Sequence, residues 1–335
     1  ISFVGFYLVG APADVTALAE AYFSIRIYEA PFYLMTLAMT AAMRGQGDAL
    51  VPMYILIGVN IVNIIGDLLL VPGTFDLPSY GVVGAAWASL IAQASGWIAA
   101  MLIGWRRVRQ YWHWGWLRQW RELAWQRFFT VQSHLLVRTL ALVLTLAAVT
   151  ALVARLQSET ILAAHAILMQ LWQLVSYGVD GFAYATETTV GSWLGRGDRV
   201  RARASGIAAL IWGVGVGVLF AVAYFFAAER IAAFFTHDRD VIAIVTSLSW
   251  AVALSQPVNA MAYVFDGILI GATDTRYLRN AMLFSTTVFT VVVVFGWLGS
   301  GLSLQLIWSA LLLFMAMRAL TLGIRFRTDA WSDWL

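Results

Sequence analysis

Residues 28–53 read YEAPFYLMTLAMTAAMRGQGDALVPM, and residues 254–279 read LSQPVNAMAYVFDGILIGATDTRYLR. Laid over one another at a shift of 226, Pro31 meets Pro257, Met35 meets Met261, Gly45 meets Gly271 and Asp48 meets Asp274. Upstream, at the same shift, Asp14 and Val15 meet Asp240 and Val241. The shared positions are turn and kink residues, which set backbone geometry and so change least freely between copies. The chain reads as two copies of one helical unit.

Composition says what medium that unit lives in. Of 335 residues 61% are hydrophobic and 12% charged, with a mean hydropathy of +0.78, whereas a soluble domain is about 25% charged. Apolar runs of about 20 residues or more, enough to span a bilayer, occur at 15–43, 50–72, 82–104, 129–154, 161–194, 205–228, 241–270, 281–298 and 302–324, and a tenth is cut short at 1–10. The runs are continuous, whereas barrel strands alternate over about 10 residues. The expected class is an all-α polytopic membrane protein. It has no cysteine, which excludes a disulfide framework, a thiolate metal site and a thiolate nucleophile. His113, His134, His165 and His237 lie without ligand spacing. No enzyme activity and no cofactor are expected.

All 21 basic residues are arginine, and their placement gives a topology. Fifteen (Arg44; 106, 107, 109, 118, 121 and 127; 196, 199, 201 and 203; 276 and 279; 325 and 327) fall in alternate loops, against three (Arg155, Arg230 and Arg239) in the others. Cytoplasmic loops collect positive charge, so the C-terminus and the loop 106–127 are expected in the cytoplasm. Tryptophans interleaved in that loop (112, 114, 116, 120 and 125 among them) suit an amphipathic segment at the lipid interface better than a nucleic-acid surface. The partner is a bilayer, the plasma (bacterial inner) membrane, and no nucleic acid.

The paired segments lie six spans apart, an even offset, so both copies enter the membrane from the same side, as a parallel repeat. The second copy starts near Phe128, and 128 − 226 = −98. For copies of equal length, about 100 residues, two helices and most of a third, are expected ahead of Ile1. The organisation is then an N-terminal lobe over 1–105, a basic, aromatic linker over 106–127 and a C-terminal lobe over 128–335.

Five stretches, MRGQGDALVPM at 43–53, NIVNIIGDLLL at 60–70, GVVGAAWASLIAQ at 81–93, DGFAYATETTVGSWLGRGD at 180–198 and DGILIGATDTRYLR at 266–279, resemble the multidrug and toxic compound extrusion (MATE) transporters, in their DinF-type branch. The resemblance implies two six-helix lobes forming a cleft, and a monomeric antiporter coupling a proton or sodium gradient to export of small organic compounds by alternating access. In that family the first helix supplies a carboxylate, and this chain does not contain it.

The polar residues inside the spans carry the functional reading. Asn60, Asn63 and Asp67 are spaced i, i+3, i+7 and share one helical stripe, which must face the lobe interior because an ionised aspartate facing lipid costs about 3 kcal/mol or more. By resemblance, Asn63 and Asp67 fall on the family's N-lobe proton or sodium site, with Ser89 near its hydroxyl contributor. In the second lobe Asp180 and Glu187 lie two turns apart on one face, with Arg138 the expected counter-ion, while Asp266 is open to a gate or an interfacial contact. Arg26 and Glu29, i and i+3, are expected to pair locally. Pro31 and Pro257 are expected to kink equivalent helices. Met35, Met39, Tyr184, Met261 and Tyr263 are candidates to line a cleft for flat amphipathic cations. The glycine segments GQGD and GRGD lack the strand and the Lys-Ser/Thr of a phosphate loop and read as tight turns. A lipid or lipid-linked oligosaccharide flippase is the alternative, and a non-transporting receptor or scaffold a further one.

Overall fold

The computed structural model describes residues 13–48, 50–74, 78–108, 125–328 and 330–332. These form ten α-helices: α1 (Ala13–Arg26), α2 (Glu29–Gly45), α3 (Leu50–Leu70), α4 (Gly81–Val108), α5 (Trp125–Ala154), α6 (Glu159–Gly195), α7 (Arg199–Phe235), α8 (Arg239–Gly271), α9 (Thr275–Ser300) and α10 (Leu304–Arg327). A 3₁₀ turn at Ala330–Ser332 follows. Eight of them, α3 to α10, are long and apolar enough to cross a membrane, and the described residues contain no strand.

The repeat is visible in the helix ends. Shifted by 226, the start of α1 falls on Arg239 and the end of α2 on Gly271, so α1 and α2 together match the single helix α8. The run 15–43, expected as one span, is therefore corrected to two helices meeting at Ile27–Tyr28. Pro31 has no N–H for the Ile27 carbonyl, which instead accepts the Ala30 N–H at 3.4 Å. The proline thus lies in the first turn of a new helix, where a missing donor is harmless. Its counterpart Pro257 stays inside the continuous α8.

Helices α6 and α7 each run 37 residues, about 56 Å at 1.5 Å per residue, well beyond a hydrocarbon core of about 30 Å. Arg199, Arg201 and Arg203, read from sequence as loop residues, accordingly ride on the first turns of α7. The glycine segments are tight turns: the N–H groups of Asp48, Asp198 and Asp274 return to the carbonyls of Met43, Trp193 and Leu269 at 2.9–3.0 Å, closing each helix end in the Schellman manner.

Two compact units divide the chain at Leu123 and Ala124. Most of the linker 106–127 and the run 1–10 lie outside the described residues. In the first unit, Met43, Ile55, Val59, Ala92 and Ala100 form the buried apolar cluster. In the second, the core is larger and centres on α8, which buries residues on all sides, among them Val245, Leu248, Val264, Ile268 and Leu269. Close helix contact makes this possible. A Cβ on Gly271 would lie 2.5 Å from the Glu187 carbonyl oxygen of α6, and one on Gly217 of α7 would lie 2.8 Å from that of Gln256. Small residues at crossings let backbones approach where lipid supplies no hydrophobic drive.

Candidate functional site

In the first unit the polar stripe sits on α3 against the antiparallel α4. Gly66 faces Ala88, Val59 faces Gly96 and the Leu70 carbonyl backs onto Gly84; a Cβ on Gly66 would come within 2.8 Å of the Ala88 Cβ, so the helices touch one residue before Asp67. At this crossing the Asn63 Nδ2 donates to the Ser89 Oγ at 3.3 Å. Asp67 is half-buried, and its Oδ1 is enclosed with no hydrogen-bond partner. Asn60 does not join them, because it is exposed and its amide donates to the Leu56 carbonyl of its own helix at 2.8 Å. The structure thus brings together Asn63, Ser89 and the flank of Asp67.

In the second unit the charges assemble differently from the sequence expectation. Arg138 of α5 does not pair with Asp180. It donates to Asp266 Oδ2, and so does Arg318 of α10, which the sequence reading had not joined to any partner. One carboxylate therefore pins three helices, α5, α8 and α10. Asp266 is 5% exposed and Arg318 1%, so the cluster lies in the interior of the unit. Asp266 Oδ1 and the Nε atoms of Arg138 and Arg318 are enclosed without partners. The Arg318 guanidinium lies 5.5 Å from the centroid of the Tyr263 ring. The clue in the sequence was Arg318 itself, a charge inside a span that must find an acid. Asp180 is half-buried on α6, and Glu187 follows two turns on.

The remaining candidates divide by packing. Met39 packs on the first unit's core, and Met261 and Tyr263 on the second's, whereas Met35 and Tyr184 are about half exposed. Arg26 pairs with Glu29 across the α1–α2 break. Near the loop before α9, the Asp274 carboxylate accepts from Arg325 Nε at 2.7 Å, and His134 meets the Thr275 hydroxyl at 3.2 Å.

A helical multi-pass membrane protein, built from repeated spans with carboxylates held inside each unit, is what these observations define. The MatE family model matches residues 3–69 and 135–295, and the chain belongs to that family. DNA damage-inducible protein F of Escherichia coli (strain K12) is 33% identical to it, over 96% of this chain and 68% of the relative. Protein DETOXIFICATION 44, chloroplastic, of Arabidopsis thaliana is 30% identical, over 94% of this chain and 58% of the relative. The crystal structure of the Vibrio cholerae MATE transporter VcmN in the bent form superposes with a TM-score of 0.77 at 19% identity, over 96% of this chain and 72% of that one. The chain thus spans between 58% and 72% of the length of these three proteins.

Proposed function

We propose that this chain forms the transport body of a secondary active exporter, an antiporter that couples a proton or sodium gradient to the outward movement of amphipathic organic cations by alternating access. The observation that carries the reading is Asp67: a carboxylate in a membrane helix, with one oxygen enclosed and unpartnered, one turn from the Asn63–Ser89 bond. A carboxyl group in such a place is neutralised by a proton or matched by a cation, and Asn63 and Ser89 offer donors to the first state and oxygens to sodium in the second. A ligand that binds two conformations unequally shifts the balance between them, which is what coupling requires. The protein carries out no bond chemistry, and the C-terminus lies in the cytoplasm of a bacterial inner membrane.

The flippase alternative needs free cations to hold a phosphate-bearing lipid. The three arginines read as lying within spans are each paired: Arg26 with Glu29, and Arg138 and Arg318 with Asp266. This favours drug export. The test is flux in proteoliposomes of the full-length protein. Asp67→Asn, isosteric and neutral, keeps the fold and abolishes gradient-driven uphill transport of a fluorescent organic cation; transport at the wild-type rate would remove Asp67 from the coupling site.

A further inference from the structure

Asp180 is left over once Asp266 has been paired. Among the described residues no arginine bridges it, although Arg138 was the partner expected from sequence. It is half-buried within a span, and a carboxylate so placed must be neutralised in some other way.

Its neighbours are fixed by the packing of α6 on α8. The two helices run in parallel register, since Gly267 lies against Ala183 and Gly271 against Glu187, and 267 − 183 = 271 − 187 = 84. At that register Asp180 is level with Val264, between Tyr263 and Asp266 of α8. Tyr263 is within electrostatic reach of Asp180, Asp266, Arg138 and Arg318 together, and Asp180 is within reach of Asp266. The groups facing Asp180 are thus Tyr263 and Asp266 from α8, with Tyr184 and Glu187 following on its own helix, while Arg138 of α5 and Arg318 of α10 lie behind Asp266, which binds both. Helix α7 presents Val216 and Phe220 beside Gly178 and Gly213 beside Val179, none of them titratable.

Both arginines bond the same oxygen of Asp266. The other, Oδ1, is enclosed and lacks a donor. A protonated carboxyl group is one O–H donor with acceptor capacity left over, the partner an orphaned carboxylate oxygen needs, and a charge-assisted O–H···O⁻ bond is among the strong ones. We propose that Asp180 is a second proton-binding site, in the C-terminal unit, and that its protonated form donates to Asp266 Oδ1. The proton joins α6 to the carboxylate that already pins α5, α8 and α10. When it leaves, two like charges face each other across the α6–α8 contact. The arrangement is two-state, with the proton choosing between an α6 fastened to the cluster and an α6 pushed from it. Its consequence for transport rests on the exporter reading; the proton site itself does not.

Infrared difference spectroscopy on the full-length protein in lipid, stepped between acidic and alkaline buffer, tests it. A carbonyl band of a protonated carboxyl group, sensitive to deuterium and distinct from any that Asp67 contributes, is expected in the wild type. The band vanishes in Asp180→Asn, moves in Asp180→Glu and persists in Asp67→Asn. A band that survives unchanged in both Asp180 variants overturns the proposal, as does a wild-type spectrum with no band beyond the one lost in Asp67→Asn. Flux measured on the same variants keeps the two readings apart. If the Asp180 band is present while Asp67→Asn still drives uphill transport, the exporter's coupling site is wrong and the proton site stands.

Discussion

Gly47 and Thr273 occupy the same place in the two copies, 226 residues apart, and both hold positive φ, +86° and +59°. Each follows its helix by the same Schellman turn, closed by Asp48 and Asp274. The first copy meets the left-handed requirement with glycine. The second meets it with a β-branched residue, for which this region costs about 1–2 kcal/mol. Thr273→Gly is expected to stabilise the protein by about 0.5–1 kcal/mol after glycine's greater entropy loss. Gly47→Ala, which meets nothing within 4 Å and so pays only conformational strain, should destabilise it by about 1 kcal/mol. Thermal melts in detergent read both; equal effects at the two positions would mean that the turns are not equivalent.

The shared oxygen of Asp266 sets an order of damage. Asp266→Leu leaves two guanidinium groups buried without an anion and is expected to be the worst. Arg318→Met leaves Asp266 with Arg138 alone, at the scale of about 3–5 kcal/mol for breaking a buried pair. Arg138→Met is milder, since its side chain is 15% exposed and Arg318 keeps the carboxylate company. Replacing all three by apolar residues should harm stability less than Asp266→Leu alone, which a melt of the triple variant checks.

What the sequence revealed, and what it concealed, follows from which information is local. Helices, their turns and the repeat come from hydropathy runs and from glycine, proline and aspartate at matched positions, and these are properties of short segments. The pairing Arg26–Glu29 is i, i+3 and was legible for the same reason. Arg138 was assigned to Asp180 because spacing along one helix gives a face but not the helix that covers it; closure of α5, α8 and α10 on Asp266 is a three-body contact across 128 and 52 residues of chain. Asn60 shares a stripe with Asn63 yet turns to Leu56, since a stripe says nothing of how far along it the neighbouring helix stays in touch. The break between α1 and α2 was hidden because Pro257, in the matching position, is accommodated within a continuous helix.

The arginine bias makes the topology measurable. In a cysteine-free full-length background, a single cysteine at Gly299, at the end of α9, should react with an impermeant maleimide added outside intact cells. One at Gly197, in the turn between α6 and α7, should react only after permeabilisation. Both positions leave a Cβ in open space, so the helix packing is undisturbed, although φ at Gly197 is +75° and a neighbouring label at Arg196 serves as its control. Reversed labelling would invert the expected orientation, and with it the direction of the proposed export.

Asn63 and Ser89 bond only weakly to one another, at 3.3 Å, and that weakness separates structure from coupling. Interhelical hydrogen bonds in membranes contribute about 0.6 kcal/mol on average. If the pair only fastened α3 to α4, a double-mutant cycle of Asn63→Ala and Ser89→Ala would return about that coupling in stability, and transport would fall in step with it. If the pair serves Asp67, each substitution also removes a group that meets the carboxyl in one of its two states. Transport should then fall by more than the stability change accounts for, with the dependence on the driving ion shifted in each single variant and not shifted further in the double. Gly66 holds the crossing in place beside them, and Gly66→Ala, forced against Ala88 at 2.8 Å, should separate Asn63 from Ser89 without touching either side chain. It is expected to reproduce the shift in ion dependence predicted for the double variant. Retention of normal ion dependence in Gly66→Ala, alongside a shift in Asn63→Ala, would mean that Asn63 acts on Asp67 directly and that Ser89 is a bystander.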